Sequence, residues 1–399
     1  MMAAIRAAHL GQEVALIERN SQLGKKLLLS GKGRCNITNT CDLNSFIDRF
    51  SGNGQFLRDA FAEFFNTDLI KFFEDRGLKL KIERQLRVFP LSDKSGSILE
   101  ILEEELRKNK VNIIYQSRAK NIIVRNGETK GILLAGGETI SADRIILATG
   151  GISYAFTGSS GDGIKIAGES GHRVTPLRQG LVPLETKQKY PAALRGLTLK
   201  NIRLRFSDAK KEIVSPVGEL LFTPFGISGP LVLSLSGQIV DWLSQKKSVH
   251  VDIDLKPGLS AEQLDARLLR EISLNSKKSI KNFLASLLPK KLIELSLEIL
   301  KIAPDKKANQ ITQSQRRNII SLLKAFRLDI ARALPIEEAM VTKGGVSLKD
   351  INPRTMESRV IKGLYFAGEM MDVDADTGGF NLQAAFSTGY LAGESAALN

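Results

Sequence analysis

The fold is decided by the stretch AAIRAAHLGQEVALIE at residues 3–18. Its first half has small and apolar residues at helical spacing and ends at Gly11, and its second half is a short apolar strand that ends on Glu18. A helix leading into a strand that is closed by an acid is typical of the second half of a βαβ dinucleotide-binding unit, in which the acid binds a ribose hydroxyl. Glu18 is therefore the first candidate cofactor ligand.

The glycine-rich loop of such a unit, G-x-G-x-x-G, normally lies about 20 residues before the acid. Counting back from Glu18 by that distance passes Met1. We therefore expect the amino-terminal strand and the glycine loop of the unit to be missing from this sequence. One hypothesis that follows is a truncated chain that folds but is deficient in its cofactor.

A second candidate segment is LLLSGKGRCNITN at residues 27–39. Its glycines and short polar side chains let backbone N–H groups approach a pyrophosphate closely, and its arginine adds a fixed positive charge. For the cysteine within it, a buried structural thiol is favoured over a redox thiol, because no second cysteine lies at resolving distance. The predicted ligands in this segment are Ser30, Gly31, Gly33, Arg34, Cys35, Asn36, Thr38 and Asn39.

A third candidate segment is the apolar strand DRIILATGG at residues 143–151. Its small residues Ala148, Thr149 and Gly150 indicate a close approach between the backbone and a bound cofactor. Short strands with turn signals precede it, and this layout is usual for a flavoprotein Rossmann domain. TGSSGDG follows, and Asp162 is expected to cap the helix that begins there.

The fourth segment is LYFAGEMMDVDADTGGFNLQAAFSTG at residues 364–389. A strand ends at Gly368 and Glu369, a tight Gly378-Gly379 turn follows, and a helix then begins. A helix N-terminus preceded by glycine favours a phosphate or a carbonyl oxygen of a cofactor ring. The three acids between the strand and the turn resemble the start of a Ca²⁺ loop, but the glutamate that such a loop needs near its end is absent, so no metal is expected.

The texture of the chain changes near residue 188. Residues 188–258 alternate apolar and polar side chains, which predicts an antiparallel sheet or small barrel, and residues 259–338 are helical and basic. We therefore expect a dinucleotide-binding, Rossmann-like domain built from residues 1–187 and 339–399. A β-barrel-like insert over 188–258 and a helical insert subdomain over 259–338 would interrupt it.

The insert carries most of the net positive charge of the chain. The net charge is +14, and residues 188–338 contain 25 Lys and Arg against 15 Asp and Glu. Such a module fits either an anionic partner or a lysine-rich face in water, and the second interpretation is favoured. Aromatic side chains that could stack on bases are scattered, so nucleic acid is not the expected partner.

Composition excludes several other classes of protein. No apolar run approaches the roughly 18 residues of a membrane helix, and two cysteines are too few for a disulfide framework. We therefore expect a soluble, cytoplasmic protein without membrane contact. Only three histidines are present, each with an ordinary structural explanation, so no catalytic residues are assigned and a cofactor must supply the chemistry.

At these segments the sequence resembles the BaiN/YhiN-like flavoproteins, NAD(P)/FAD-dependent or aminoacetone-oxidase-family FAD-binding oxidoreductases. The resemblance covers essentially the whole chain and rests on KKLLLSGKGRCNITN, ILATGG with TGSSGDG, GELLFTPFGISGP, VTKGGVSLKDINPRTMES and GLYFAGEMMDVDADTGGFNLQAAFSTG. It implies an α/β fold in which an FAD-binding Rossmann-type domain is interrupted by a β-barrel plus helical insert.

The resemblance also implies roles for the residues named above. Glu18 is similar to the family's adenosine-ribose ligand, the loop from 30 to 39 to the segment along the pyrophosphate and flavin, and residues 148–150 to the close-approach turn. One departure is Pro224, where the family often has a histidine. The implied contacts of the ribityl chain and flavin ring are Gly368, Glu369, Asp372, Gly379, Phe380, Asn381, Leu382 and Gln383.

We therefore expect an FAD-dependent oxidoreductase that transfers hydride between a small organic substrate and the flavin. NAD(P)H or another donor or acceptor would complete the cycle, and the sequence names neither the substrate nor the oligomeric state. The alternatives are an RNA-associated flavoprotein that uses the basic insert and the truncated, FAD-deficient chain.

Overall fold

The computed structural model describes residues 1–208 and 210–399, and the chain divides into two compact units. Unit 1 comprises Met1–Gly180 and Ile336–Asn399, and unit 2 comprises Leu181–Pro335. Unit 2 is thus one continuous insertion into unit 1. The predicted class, a Rossmann-type α/β domain interrupted by an insert, is confirmed. The finer subdivision predicted at residue 258 stays a prediction.

The helices and strands follow the chain in this order. The α-helices are α1 (Met2–His9), α2 (Lys25–Leu29), α3 (Leu43–Ile47), α4 (Arg58–Glu63), α5 (Asn66–Glu74), α6 (Ser95–Lys108), α7 (Asp162–Glu169), α8 (Pro230–Ser244), α9 (Ala261–Leu274), α10 (Ile280–Leu284), α11 (Lys290–Leu300), α12 (Gln313–Lys324) and α13 (Phe380–Leu398). The strands are β1 (Ala15–Ile17), β2 (Thr38–Asn39), β3 (Leu80–Glu83), β4 (Arg87–Pro90), β5 (Asn112–Ile114), β6 (Ala119–Arg125), β7 (Glu128–Leu134), β8 (Thr139–Ser141), β9 (Ile145–Leu147), β10 (Val174–Gly180), β11 (Leu184–Thr186), β12 (Thr198–Ser207), β13 (Glu212–Val214), β14 (Gly218–Phe222), β15 (Gly226–Ser228), β16 (Val249–Asp254), β17 (Phe326–Ala333), β18 (Val341–Val346) and β19 (Leu364–Phe366).

The parallel strands of unit 1 form two pairs. β1 pairs with β5, with Ala15 opposite Asn112, and β9 pairs with β19, with Ile145 opposite Leu364. All three residues of β19 are buried, as expected for a parallel strand covered on both faces. The loops that follow the carboxyl ends of these strands contain several of the residues predicted to bind the cofactor, namely Glu18, residues 148–150, Gly368, Glu369, Asp372 and Gly379.

Helix α13 packs closely against α1. A Cβ atom on Gly393 would lie 2.3 Å from the carbonyl oxygen of Ala3, so only glycine permits this approach. The small residues that marked the first helix in the sequence are therefore explained by backbone-to-backbone packing. α13 begins after a residue in the left-handed conformation, Gly379, with φ of 95°.

Two smaller sheets complete the frame of unit 1. β2, β4 and β3 form a three-stranded antiparallel sheet beside the loop at 30–39, and β6, β7 and β8 form a meander. β10 and β18 pair with each other in antiparallel fashion, with Gly180 opposite Val341. The two points where the chain leaves unit 1 for unit 2 and returns from it are therefore joined by hydrogen bonds.

Unit 2 is built around a sheet that closes on itself. Its order is β12-β14-β15-β11-β17-β16, with β16 pairing back onto β12 and β13 attached to the outside of β12. β16 alternates buried and half-buried residues, as the period of two in its sequence predicts. The helices of residues 259–338 share one hydrophobic core with these strands through Leu264, Phe283 and Leu323.

Two negative findings concern the described part of the chain. None of its helices combines the length and the apolar character needed to cross a membrane. Within the same residues, no three His, Cys, Asp or Glu side chains come together in a way that could hold a metal ion.

Candidate functional site

Three predicted segments meet in unit 1 beyond the carboxyl ends of parallel strands. The loop after β1 contacts the loop after β9, because Asn20 Nδ2 donates to the carbonyl oxygen of Thr157 at 3.0 Å. The loop after β19 contacts α2, where Lys26 Nζ lies 2.5 Å from Glu369 Oε2. In open α/β sheets this edge is where ligands bind.

Glu18 directly follows β1, as predicted. Its Oε1 accepts hydrogen bonds from the backbone N–H and from Nδ2 of Asn20, both at 2.8 Å. Asn20 Oδ1 in turn accepts from Lys25 Nζ at 3.0 Å. The half-buried carboxylate is therefore oriented by its own loop, and its contact with a ribose stays a prediction.

The loop at 30–39 owes its shape to left-handed residues. Gly31, Lys32, Gly33 and Cys35 all have φ between 56° and 82°. At Gly31 a Cβ atom would lie 2.9 Å from the backbone nitrogen of Asn36, so a side chain there is strained. Ser30 Oγ donates to the carbonyl oxygen of Leu27 at 2.6 Å and tightens the turn after α2. The glycines of the segment therefore allow its left-handed turns, and its contact with a pyrophosphate stays a prediction.

Cys35 is fully buried. Burial raises the pKa of its thiol to about 11, so the sulfur stays protonated and unreactive at neutral pH. The expected burial of Cys35 is therefore confirmed, and its structural role stays a prediction.

Arg34 is held by side chains of unit 1. Its guanidinium forms an ion pair with Glu83, donates from Nε to Asp93 Oδ1 at 2.7 Å, and lies over the ring of Phe89 at 4.1 Å from the centroid. These contacts fix the loop to the sheet of β3 and β4. The predicted contact of Arg34 with a cofactor stays a prediction.

Thr38 and Asn39 join this loop to the start of α13. Asn39 Nδ2 donates to the carbonyl oxygens of Gln85 and Gly378, at 2.9 and 3.2 Å, and its Oδ1 accepts from the N–H of Cys41. A Cβ atom on Gly379 would lie 2.4 Å from the carbonyl oxygen of Thr38. The two segments are therefore locked together by backbone approach, and both side chains of β2 are buried.

At the first turn of α13, the groups available to a ligand are backbone N–H groups rather than side chains. No described side chain caps this helix, so its first N–H groups remain donors for a ligand. Phe380 packs on Phe46 at 4.7 Å between ring centroids, and Asn381 bonds to both backbone groups of Ala375 at 2.8–2.9 Å. Leu382 packs against the hydrophobic core.

Two buried amide oxygens near these segments have no partner. Within the described residues, Asn36 Oδ1 and Gln383 Oε1 lack any hydrogen-bond donor. The amide nitrogen of Gln383 is used inside the fold, since it donates to Ser387 Oγ at 2.9 Å. A buried acceptor left unpaired costs about 1–3 kcal/mol, which a ligand N–H would recover.

A polar cluster that the sequence did not indicate lies beside these segments. Lys26 Nζ donates to Ser153 Oγ at 2.7 Å and to Glu369 Oε2 at 2.5 Å. Glu369 Oε1 accepts from Ser153 Oγ at 3.0 Å and from the N–H of Thr342 at 2.8 Å. Lys26 and Glu369 are 28% and 20% exposed, so the pair is largely withdrawn from water. Only Glu369 was predicted.

The close-approach turn follows β9. Gly150 has φ of 76°, and Thr149 lies so near α7 that a Cβ atom on Gly163 would be 2.1 Å from its Oγ1. Ala148 precedes them and is exposed. The side chain of Thr149 therefore packs on the backbone of α7 at Gly163, where only a glycine leaves room for it.

The remaining predicted residues follow β19. Gly368 has φ of 74° and donates its N–H to Thr388 Oγ1 at 3.0 Å. The backbone N–H of Asp372 donates to the carbonyl oxygen of Val346 at 3.0 Å, which ties this loop to β18. The predicted contacts of Gly368 and Asp372 with the flavin stay predictions.

The prediction for Asp162 is wrong. Gly161 is the N-cap of α7 and no side-chain cap is present. The carboxylate of Asp162 instead accepts two hydrogen bonds from Arg118 at 2.7 Å and pairs with Arg19 at 3.2 Å. These bonds, chiefly those from Arg118, lower the pKa of Asp162.

Comparison with known proteins places this site in a family. The chain is 33% identical over 401 residues to the 3-dehydro-bile acid delta(4,6)-reductase of Clostridium scindens, covering 100% of this chain and 96% of that protein. It is 32% identical over 397 residues to the ribosomal RNA dihydrouridine synthase of Escherichia coli, covering 98% and 93%. The protein of the same name from Haemophilus influenzae is 31% identical over 394 residues, covering 98% and 94%.

Solved structures share the fold at low identity. The 3-ketosteroid-delta4-(5alpha)-dehydrogenase of Rhodococcus jostii superposes with a TM-score of 0.50 at 14% identity, over 100% of this chain and 94% of that one. The 3-ketosteroid delta1-dehydrogenase of Sterolibacterium denitrificans gives 0.51 at 13%, over 99% and 97%. The family model described as HI0933-like protein Rossmann domain matches residues 1–395. With curated relatives above 30% identity along its whole length, the chain belongs to the HI0933-like family, and the resemblance seen in its motifs is confirmed.

Proposed function

We propose that this chain is a flavin-dependent oxidoreductase that reduces a carbon–carbon double bond conjugated to a carbonyl group. The observation that carries the proposal is a chemical feature shared by its full-length relatives. One is named a delta(4,6)-reductase of 3-dehydro-bile acids, and two are named dihydrouridine synthases. Both kinds of product arise when a ring double bond in conjugation with a carbonyl gains two hydrogens.

FAD fits the residues of the candidate site. Asn36 Oδ1 is a buried acceptor in need of a donor, and the N–H groups at the start of α13 are donors in need of an acceptor. Lys26 adds a cation, and Glu18 a carboxylate at the end of β1. A dinucleotide with ring N–H groups, ribose hydroxyls and a pyrophosphate offers partners of each type. When bound, a flavin supplies the hydride.

Lys26 would bind the anionic part of the cofactor. Glu369 and Ser153 hold its ammonium group in place, so little side-chain entropy remains to be lost when an anion arrives. Glu369 is itself fixed by the N–H of Thr342. The ammonium group of Lys26 is therefore held in a fixed position by the carboxylate of Glu369 before the cofactor binds.

Tyr154 is the proposed source of the proton that completes reduction. It directly follows Ser153 of the cluster and has a left-handed backbone, with φ of 52°. Its N–H donates to the carbonyl oxygen of Glu337, and its own carbonyl accepts from Thr157 Oγ1 at 2.7 Å, so this strained position is held from both sides. Burial, together with Glu338, raises the pKa of its phenol, so Oη carries a proton at neutral pH.

A small organic enone is the proposed substrate class, and uridine within ribosomal RNA is the second candidate. Unit 2 favours the second, because it contains 26 Lys and Arg against 14 Asp and Glu. Such a surplus attracts phosphate backbones. NAD(P)H as the electron donor stays a prediction from the resemblance.

Anaerobic turnover tests the proposal. The full chain is loaded with FAD, reduced chemically, and mixed either with a cyclic enone or with ribosomal RNA lacking dihydrouridine. We expect the flavin absorbance to return with one of the two, with two hydrogens added to that compound by mass spectrometry. An alkene without a neighbouring carbonyl is the control. Failure of every conjugated substrate to reoxidise the flavin would overturn the proposal.

A further inference from the structure

Unit 2 contains a cavity that the proposed function does not use. It has a volume of about 240 Å³ and lies between the start of β12, the residues just after β16, and the link between α10 and α11. Leu199, Ile202 and Leu255 form an apolar floor and are at most 5% exposed, and Leu287 and Leu288 form a second apolar wall. Part of the lining is therefore apolar and can contact a short hydrocarbon chain.

Two lysines line the same cavity. Lys200 is exposed, whereas Lys256 is half-buried. Burial lowers the pKa of the Lys256 ammonium, and the charge of Arg267 lowers it further. Across the described residues, neither lysine nor Arg267 has a carboxylate oxygen within salt-bridge distance.

Nearby carboxylates are already occupied. Asp254 accepts the backbone N–H of Lys256 at 2.9 Å with one oxygen and pairs with Lys324 at 2.6 Å with the other. Asp265 pairs with Arg316 at 2.6 Å. The cations at the cavity therefore lack a counter-charge from the fold. Partial burial of a cation without a counter-charge is unfavourable, and an anion placed there would relieve that cost.

We propose that this cavity binds a small amphiphilic anion, with its head group between Lys200 and Lys256 and its aliphatic chain on the apolar floor. The volume limits the chain length. At about 30 Å³ for a water-sized group, the space holds about eight non-hydrogen atoms. A six-carbon carboxylate fills it, and the larger head group of a six-carbon phosphate monoester would extend toward the exposed Lys200.

Calorimetric titration of the full chain tests this site. The probes are hexanoate and hexyl phosphate, compared with 1-hexanol, which lacks the charge, and with acetate and inorganic phosphate, which lack the chain. We expect at least one charged hexyl compound to bind about tenfold more tightly than 1-hexanol and than its own head-group ion, a ratio equal to about 1.4 kcal/mol. Hexanoate and hexyl phosphate distinguish the two head groups.

Variants place the binding at the lysines. Lys256→Met should remove the preference for the charged probe over 1-hexanol, whereas Lys278→Met, an exposed lysine that does not line the cavity, should leave it unchanged. Equal binding of hexanoate, hexyl phosphate and 1-hexanol to the unmodified chain would overturn the proposal. An unchanged preference in Lys256→Met would do so as well.

A second measurement needs no variant. Burial and Arg267 lower the pKa of Lys256, so more of its amine is unprotonated than in an unperturbed lysine and an acylating reagent near neutral pH should label it. Saturating hexanoate or hexyl phosphate should protect Lys256 severalfold and Lys278 not at all, as read by peptide mass spectrometry. Labelling of Lys256 that neither probe changes would contradict the site even if Lys256→Met did not fold.

Discussion

Unit 1 and unit 2 use the sequence in different ways. Among the described residues, 19 of the 21 glycines with positive φ lie in unit 1. Unit 2 holds a charge surplus of 12 out of the total of 14. The turns of the candidate site in unit 1 therefore depend on glycines in the left-handed conformation, where an added side chain is strained. The charged side chains on the surface of unit 2 can be substituted without moving the backbone. Substitutions should have opposite consequences in the two units.

The largest expected effect is that of Gly379→Ala in unit 1. The new Cβ would lie 2.4 Å from the Thr38 carbonyl oxygen at a φ of 95°, so both strain and a backbone clash arise. We expect a loss of about 2–5 kcal/mol in the free energy of unfolding and loss of flavin binding. Denaturant unfolding and flavin titration measure the two effects.

The matched control is Gly237→Ala in α8 of unit 2, where a Cβ would meet nothing within 4 Å. Removing a helical glycine there should stabilise unit 2 by about 0.5–1 kcal/mol. If the two substitutions had similar effects, the contrast between the units would be wrong.

Tyr154→Phe should slow product formation more than it weakens binding. Without the phenolic proton, the rate of double-bond reduction should fall about 100-fold, the lower end of what a positioned acid contributes. Reoxidation of the reduced flavin by dioxygen should not change, because no carbon is protonated in that reaction. Tyr115→Phe, at a 40% exposed tyrosine of the same unit, is the control. An equal loss in both variants would assign Tyr154 a structural role only.

Lys26→Met should weaken flavin binding about 10- to 100-fold, because a charge-assisted contact is worth about 1.5–3 kcal/mol. Lys120→Met is the control, since Lys120 is an exposed lysine of β6 in the same unit and takes no part in the Lys26 cluster. Fluorescence titration with FAD measures both. A normal affinity in Lys26→Met would remove the cluster from the cofactor site.

The smallest effect is expected on the surface of unit 2. Lys277→Glu with Lys278→Glu changes two exposed lysines, so stability and flavin binding should stay the same. If ribosomal RNA binds here, the slope of log affinity against log salt should fall by about 0.7 for each single-strand phosphate that these lysines no longer neutralise. An unchanged slope would place any RNA-binding surface elsewhere.

The α/β class, the insert and the turns of the candidate segments could be predicted because each depends on local patterns, whereas the ligand contacts of those segments stay predictions. Residues adjacent in the sequence determine three of these features: the acid after β1, the glycine turns and the alternation in β16. The shape of the loop at 30–39 follows from its glycines in the same way.

The Lys26 cluster could not be predicted, because its members are brought together only by the fold. Lys26 and Glu369 are 343 positions apart, and Lys26 and Ser153 are 127 apart. Composition also could not show that the side-chain amides of Asn39 and Asn381 donate hydrogen bonds to backbone carbonyl groups nearby. These amide N–H groups are therefore already bonded within the fold. For Asp162, two arginines from other segments outcompeted the local capping bond.

The insertion of unit 2 between two parts of unit 1 has a consequence for synthesis on the ribosome. β19 and α13, which complete unit 1, are made only after all 155 residues of unit 2. At about 5–20 residues per second, synthesis of unit 2 alone delays the partners of the first part of unit 1 by about 8–30 s. During that delay α1 and β9 have apolar surface without α13 to cover it, while unit 2, whose own residues close its barrel, is free to fold. Translation speed across the insert therefore sets how long the nascent first half depends on chaperones.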